Sequence, residues 1–185
     1  MADLARLTPA LFTGADLPDD HDLALEDLRE WERFGITHVI DTRIEWSDEH
    51  LVVGALPSVR YLHIGVDDLG QQMPDDWFDR GVGFALDAWH EDPDAVVVAH
   101  CHMGINRGPS MAYAILLGLG WDPVEAMDLI RRQRPIAGVD YAEDALSWHL
   151  RRSRVPDHEH RAARSRLLAF RKTSPIHAPR ITKHS

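Results

Sequence analysis

Residues 95 to 99 read Ala-Val-Val-Val-Ala, an unbroken apolar run between the turn-forming Asp92-Pro93-Asp94 and the polar stretch that begins at His100. The run is too short for an ordinary helix, and its β-branched valines favour extended backbone. A strand with one wet face would alternate polar and apolar residues. This one does not, so it predicts a strand covered on both faces, with helices above and below a sheet.

The neighbouring segments fit that demand. Residues 11–14 read as a short strand and turn, and 36–41 and 60–66 as further strands. Residues 18–35 read as a helix with acids early, Leu25, Leu28 and Trp31 along one face, and Gly35 as its stop signal. Residues 74–91 read as another, with Trp77, Phe84 and Trp89 as candidate buried residues. The stretch 43–60 is ambiguous, and 50–56 fits an edge strand. Three helices are expected later: one starting near Pro109, one opened by Asp122, Pro123 and Glu125 and ending before Pro135, and one over 139–152. Strands alternating with helices imply an α/β fold with a mostly parallel central sheet flanked by helices.

Charge divides the chain. The net charge is −10, yet residues 151–185 hold 10 of the 20 Lys and Arg and only Asp157 and Glu159 as acids. This sets an expected boundary: a body over 1–155 and a basic C-terminal tail over 156–185, helical around 159–172 and disordered over its last dozen residues. The tail is expected to be a solvated extension first. Docking on the acidic body, or on a polyanion, are the alternatives. The N-terminal residues do not read as a signal peptide, the apolar run 111–121 is too short to span a bilayer, and the single cysteine excludes an internal disulfide. A cytoplasmic protein without membrane contact is the expectation.

That cysteine, Cys101, follows the apolar run directly; Arg107 comes six residues later, and Gly108 and Pro109 open the next helix. A loop at the carboxyl end of a buried strand, running into a helix start, lets main-chain N–H groups converge on one point and favours an anion there. Gly104 permits the tight turn, the amide dipoles favour Cys101 as thiolate, and the planar fork of Arg107 suits two phosphoryl oxygens. Cys101 as a small buried hydrophobe and Arg107 as a solvated side chain are the plain alternatives.

The stretch HCHMGINR matches the H-C-x5-R signature and resembles the cysteine-dependent protein tyrosine phosphatases. Its continuation GPSMAYAILL is similar to the dual-specificity branch, as are LFTG, GITHVID, YLHIGVDD and IRRQRPIAGVDY, in the same order. The resemblance covers about residues 11–152 and implies the dual-specificity-phosphatase fold, no metal or other cofactor, and a phosphorylated protein as partner. It makes Cys101 the nucleophile, Arg107 the phosphate clamp and Asp68 the general acid, with Asp67 as fallback. It makes His102, Met103, Gly104, Ile105 and Asn106, with Arg107, the phosphate loop. His100 is expected to hydrogen-bond that loop. The implied reaction removes phosphate from phosphotyrosine, with phosphoserine and phosphothreonine as further substrates, through a cysteinyl-phosphate.

One departure stands out. The family places Ser or Thr after the arginine, where this chain has Gly108. Slow turnover, or a phosphate-recognition module, is therefore one alternative. A rhodanese-like sulfurtransferase is another, since that class also ends a strand in a cysteine loop. The His-Cys-His triplet, with His63, raises zinc as a minor reading. Asp41 is expected to tie down a loop, and Tyr61 to pack at the start of its strand.

Overall fold

A computed structural model describes residues 1–174 and Ile176. Its elements in chain order are β1 (Leu4–Thr8), β2 (Leu11–Gly14), α1 (His21–Arg33), β3 (His38–Arg43), α2 (Glu49–Ala55), β4 (Arg60–Val66), α3 (Asp75–Glu91), β5 (Val97–His100), α4 (Arg107–Gly118), α5 (Pro123–Gln133), α6 (Ala142–Arg152) and α7 (Asp157–Thr173). The five strands form one sheet in the order β1-β2-β5-β3-β4. β1 and β2 pair antiparallel, and the other pairs are parallel.

Residue alternation along the strands divides the core into two layers. Leu11, Ile40, Val97 and Ala99 face α3, α4, α5, α6 and α7, while Phe12, Val39 and Val98 face α1 and α2. β5 is buried at every position. α4 is buried from Arg107 through Leu117, an apolar helix packed on every side. Aligned registers bring Gly14, His100 and Asp41 to the same level of β2, β5 and β3. The loops that follow those residues therefore meet at one edge of the sheet.

Three local expectations change. The 50–56 run is not an edge strand: Glu49–Ala55 is helix α2, which buries Val52 and leaves Gly54 exposed. β1, unassigned in the sequence, pairs with β2 and buries Ala5 and Leu7. The helix after the cysteine loop begins at Arg107, two residues before Pro109. The cap at Asp122 forms by its carboxylate accepting from the Val124 and Glu125 amides.

The segment beyond 155 is docked rather than solvated where it is described. Leu167 is fully buried in the larger core layer, with Ala163 and Phe170 packed beside it. Arg164 pairs with Glu143, Arg166 with Asp122 and Arg171 with Asp140. The expected disorder of the last dozen residues lies almost wholly outside the described residues. No helix among the described residues is long and apolar enough to cross a membrane.

Candidate active site

The loop after β5 turns its carbonyls outward. The His102 carbonyl accepts from the Asp16 amide, at 3.3 Å. The Met103 and Gly104 carbonyls accept from Arg134, at 3.0 and 2.5 Å. The Ile105 carbonyl accepts from the Gly138 amide at 2.7 Å, and that of Asn106 from Ser110 at 2.8 Å. With every carbonyl held from behind, the N–H groups of 102–106 find no protein acceptor among the described residues. Free main-chain donors in such a loop are suited to an anion. Gly104 has φ +59°, and a Cβ there would strike Arg134 and the Gly14 carbonyl. Arg134, which the sequence placed only within an Arg-Pro segment, is thus the buttress of the loop, itself held by Asp3 at 2.7 and 2.9 Å.

Cys101 lines the floor of a cleft of about 400 Å³, together with His102, Met103, Ile105, Asn106, Arg107, Asp68, Gly70 and Asp140. The residue is 3 % exposed and borders the cleft from below the loop rather than lying wholly within the apolar layers. Arg107 donates from both terminal nitrogens to the Glu45 carboxylate, at 2.8 and 2.9 Å, and from one of them to the Val66 carbonyl at 2.9 Å. Its Nε has no hydrogen-bond partner and lies 3.6 Å from Asp68 Oδ2. Burial opposes the Arg107 charge, but the hydrogen bonds and charge of Glu45 prevail and raise its pKa. The same bonds hold the Glu45 carboxyl down at about 2. Glu45 had no local signal in the sequence; only the tertiary fold brings it to Arg107.

Of the two candidate acids, Asp68 is the one at the cleft. Its Oδ1 accepts from Asn106 Nδ2 at 2.6 Å and from the Tyr141 hydroxyl at 2.9 Å. Asp67 is exposed, and its carbonyl accepts from Gln71. Tyr141 was not singled out by its sequence position. Burial first, and then its hydrogen bond to Asp68, push its hydroxyl up to about 12.

Behind this cleft lies a second ionic assembly. Arg43, fully buried, pairs with Asp41 at 2.8 Å, Asp48 at 2.8 Å and Asp16 at 3.0 Å, under the Trp46 ring at 5.3 Å. Burial works against the Asp41 charge, but Arg43 outweighs it and keeps that carboxyl below its ordinary value. Tyr61 does more than pack, donating to Asp41 at 2.7 Å. His102 joins the rim of the assembly through Asp16 at 2.8 Å and edge contact with Trp46 at 5.1 Å.

One expectation about the residues flanking the loop is corrected. The His100 ring makes no hydrogen bond to the loop: both nitrogens are buried without partners, and the ring packs edge-on to Trp31. Its carbonyl accepts from the Thr42 hydroxyl at 2.7 Å. Burial drives its pKa down to about 4, so it is neutral at neutral pH. Gly108 packs so closely on β5 that a Cβ would lie 2.8 to 3.0 Å from the main chain of His100 and Cys101. A Gly108→Ser variant therefore has to move the strand end as well as add a hydroxyl. Ser110 bonds Asn106 at 3.2 Å. His63 bonds the Arg43 carbonyl, and no group of three or more metal-ligating side chains converges among the described residues.

The superposition on known structures follows this geometry. The chain aligns with the crystal structure of PTPMT1 in complex with PI(5)P at a TM-score of 0.67 and 20% identity, covering 83% of this chain and 99% of that one. It aligns with DUSP15 at 0.64 and 20% identity, covering 88% and 96%. Human DUSP28 gives 0.64 and 18% identity, covering 83% and 97%. The fold is that of the dual-specificity phosphatases. In sequence, the chain is 33% identical to the PRL-1 phosphatase of Drosophila melanogaster over 64 residues, 35% of this chain. That match spans 34% of the length of the curated relative. No family model matches the sequence.

Proposed function

We propose that this chain is a phosphomonoester hydrolase that works through a cysteinyl-phosphate on Cys101. The observation that supports this reading is the loop after β5: five carbonyls each held by a donor, the amides of 102–106 without a protein acceptor among the described residues, and the one cysteine of the chain directly before them. In this scheme the thiolate attacks phosphorus in line. An S–P bond forms as the P–O bond to the leaving group breaks, and Asp68 gives its proton to the departing oxygen. The loop amides and the Nε edge of Arg107 stabilise charge on the equatorial oxygens. Water then attacks phosphorus, Asp68 takes its proton, and the thiolate leaves. The loop and Arg107 supply the positive potential, so the scheme calls on no cofactor.

Phosphotyrosine in a protein is the substrate we propose, with phosphoserine and phosphothreonine slower. Among the described residues Arg107 is the only Lys or Arg lining the cleft, where Asp68 and Asp140 bring carboxylates. A polyphosphorylated head group would meet carboxylates instead of cations. Met103 and Leu69, 60% and 84% exposed beside cleft residues, offer apolar contact to a phenyl ring and its neighbours. Phosphate release from an aryl phosphate, a phosphotyrosyl peptide and a phosphoinositide, by wild type, Cys101→Ser and Asp68→Asn, tests the reading. Wild type should prefer the first two, Cys101→Ser should be inert, and Asp68→Asn should lose about 10²-fold. Activity that survives Cys101→Ser would mean another nucleophile.

A second reading, slow hydrolysis of the phosphoenzyme, is favoured by Gly108, which puts no hydroxyl at the helical position that packs on the Cys101 main chain. It predicts a burst of leaving group followed by a slower steady state.

A further inference from the structure

We infer that Asn106 and Tyr141 are positioning residues that clamp Oδ1 of Asp68 and so assign proton delivery to Oδ2. The inference rests on the phosphatase reading above. Its basis is the direction of each donor. The Asn106 amide is oriented by its own oxygen, which accepts from the Asp140 amide at 2.7 Å and the Ser110 hydroxyl at 3.2 Å. Its nitrogen must then face Asp68, where it donates to Oδ1 at 2.6 Å. Tyr141 is held just as firmly. The residue is 2% exposed, and its amide donates to Ser110 Oγ at 3.3 Å, which anchors it to α4. Its single hydroxyl proton goes to Oδ1 at 2.9 Å in preference to Gln71 Oε1 at 3.4 Å.

An oxygen that faces two donors has no place for a proton of its own. The neutral acid therefore carries its proton on Oδ2, the oxygen 3.6 Å from Arg107 Nε and so on the side where the phosphoryl group is gripped. Asn106 is itself part of the loop after β5, so the acid is tied to the loop that holds the substrate. The clamp should matter in proportion to how much the leaving oxygen needs a proton. Alkoxides and unactivated phenoxides need one; the anion of a strongly acidic nitrophenol leaves without it.

The test is a series of phosphate monoesters, from an alkyl ester through phenyl phosphate to an ester of a strongly acidic nitrophenol. Each is assayed with wild type, Tyr141→Phe, Asp68→Asn and the double variant, with thermal melts run alongside. Tyr141→Phe should lower kcat/KM about tenfold for the alkyl and phenyl esters and less than about twofold for the nitrophenyl ester. In the Asp68→Asn background it should change nothing further. An equal loss across the series, or a loss that persists without Asp68, would show Tyr141 to act only on structure. No loss anywhere would show that the acid needs no clamp. Wild type releasing phosphate from none of the esters would instead bring down the phosphatase reading, and the clamp with it.

Discussion

Arg43 closes β3 and Arg107 opens α4 after the adjacent strand β5; the first is fully buried and the second 4% exposed, and they differ in how their guanidinium groups are used. Every nitrogen of Arg43 has a carboxylate partner, from Asp41, Asp16 and Asp48, and Trp46 covers its face. Arg107 is held only at its far end, by Glu45 and the Val66 carbonyl, which leaves Nε without a partner at the cleft. A buried charge whose every nitrogen is paired serves the fold. One that is braced from behind and open along one edge is prepared for a ligand of its own shape.

Exchanging the two arginines for other residues should separate these roles. Arg107→Lys keeps a positive charge but loses the fork, so kcat/KM for an aryl phosphate should fall by about 10²- to 10³-fold with the melting temperature nearly unchanged. Arg43→Met should do the reverse. It strands the buried Asp41 carboxylate, costing about 3 to 5 kcal/mol in denaturant unfolding, while the folded fraction keeps its turnover. If both variants lost activity alone, or stability alone, the distinction would fail. Leu167→Ala gives a neutral reference for ordinary packing in the same core, with an expected loss of about 3 kcal/mol. A silent change there would mean that α7 adds nothing to stability.

The smallest expected effect is a dependence on pH. His100 has a pKa of about 4 when folded against an ordinary 6.5. The unfolded chain therefore binds its proton first, and stability is lost as pH falls from about 6.5 towards 4. His38, lowered in the same direction by burial, adds to the slope. Unfolding curves over that range, with His100→Phe for comparison, should show a flatter acid limb in the variant.

How much of this was legible depended on how local the cause was. The valine run, the Cys101-to-Arg107 spacing and the Gly104 turn are contiguous, so they could be seen in sequence. The Asp122 cap was equally readable, because its acceptor and donors lie within three residues. Glu45, Arg134 and Tyr141 could not be assigned, because each reaches the loop from a different element and carries no pattern until the sheet is assembled. The segment 50–56 misled because a short apolar run fits a strand or a helix equally well. The neutral, unbonded ring of His100 was beyond reach, since nothing in its neighbours announces Trp31.

The contact between Gly108 and the end of β5 couples a side chain to the main chain. Any residue larger than glycine at this position has to displace the strand end or the helix start, because its Cβ would lie within 3.0 Å of the His100 and Cys101 backbone. A substitution there therefore reads the tolerance of that backbone junction before it reads any change in chemistry.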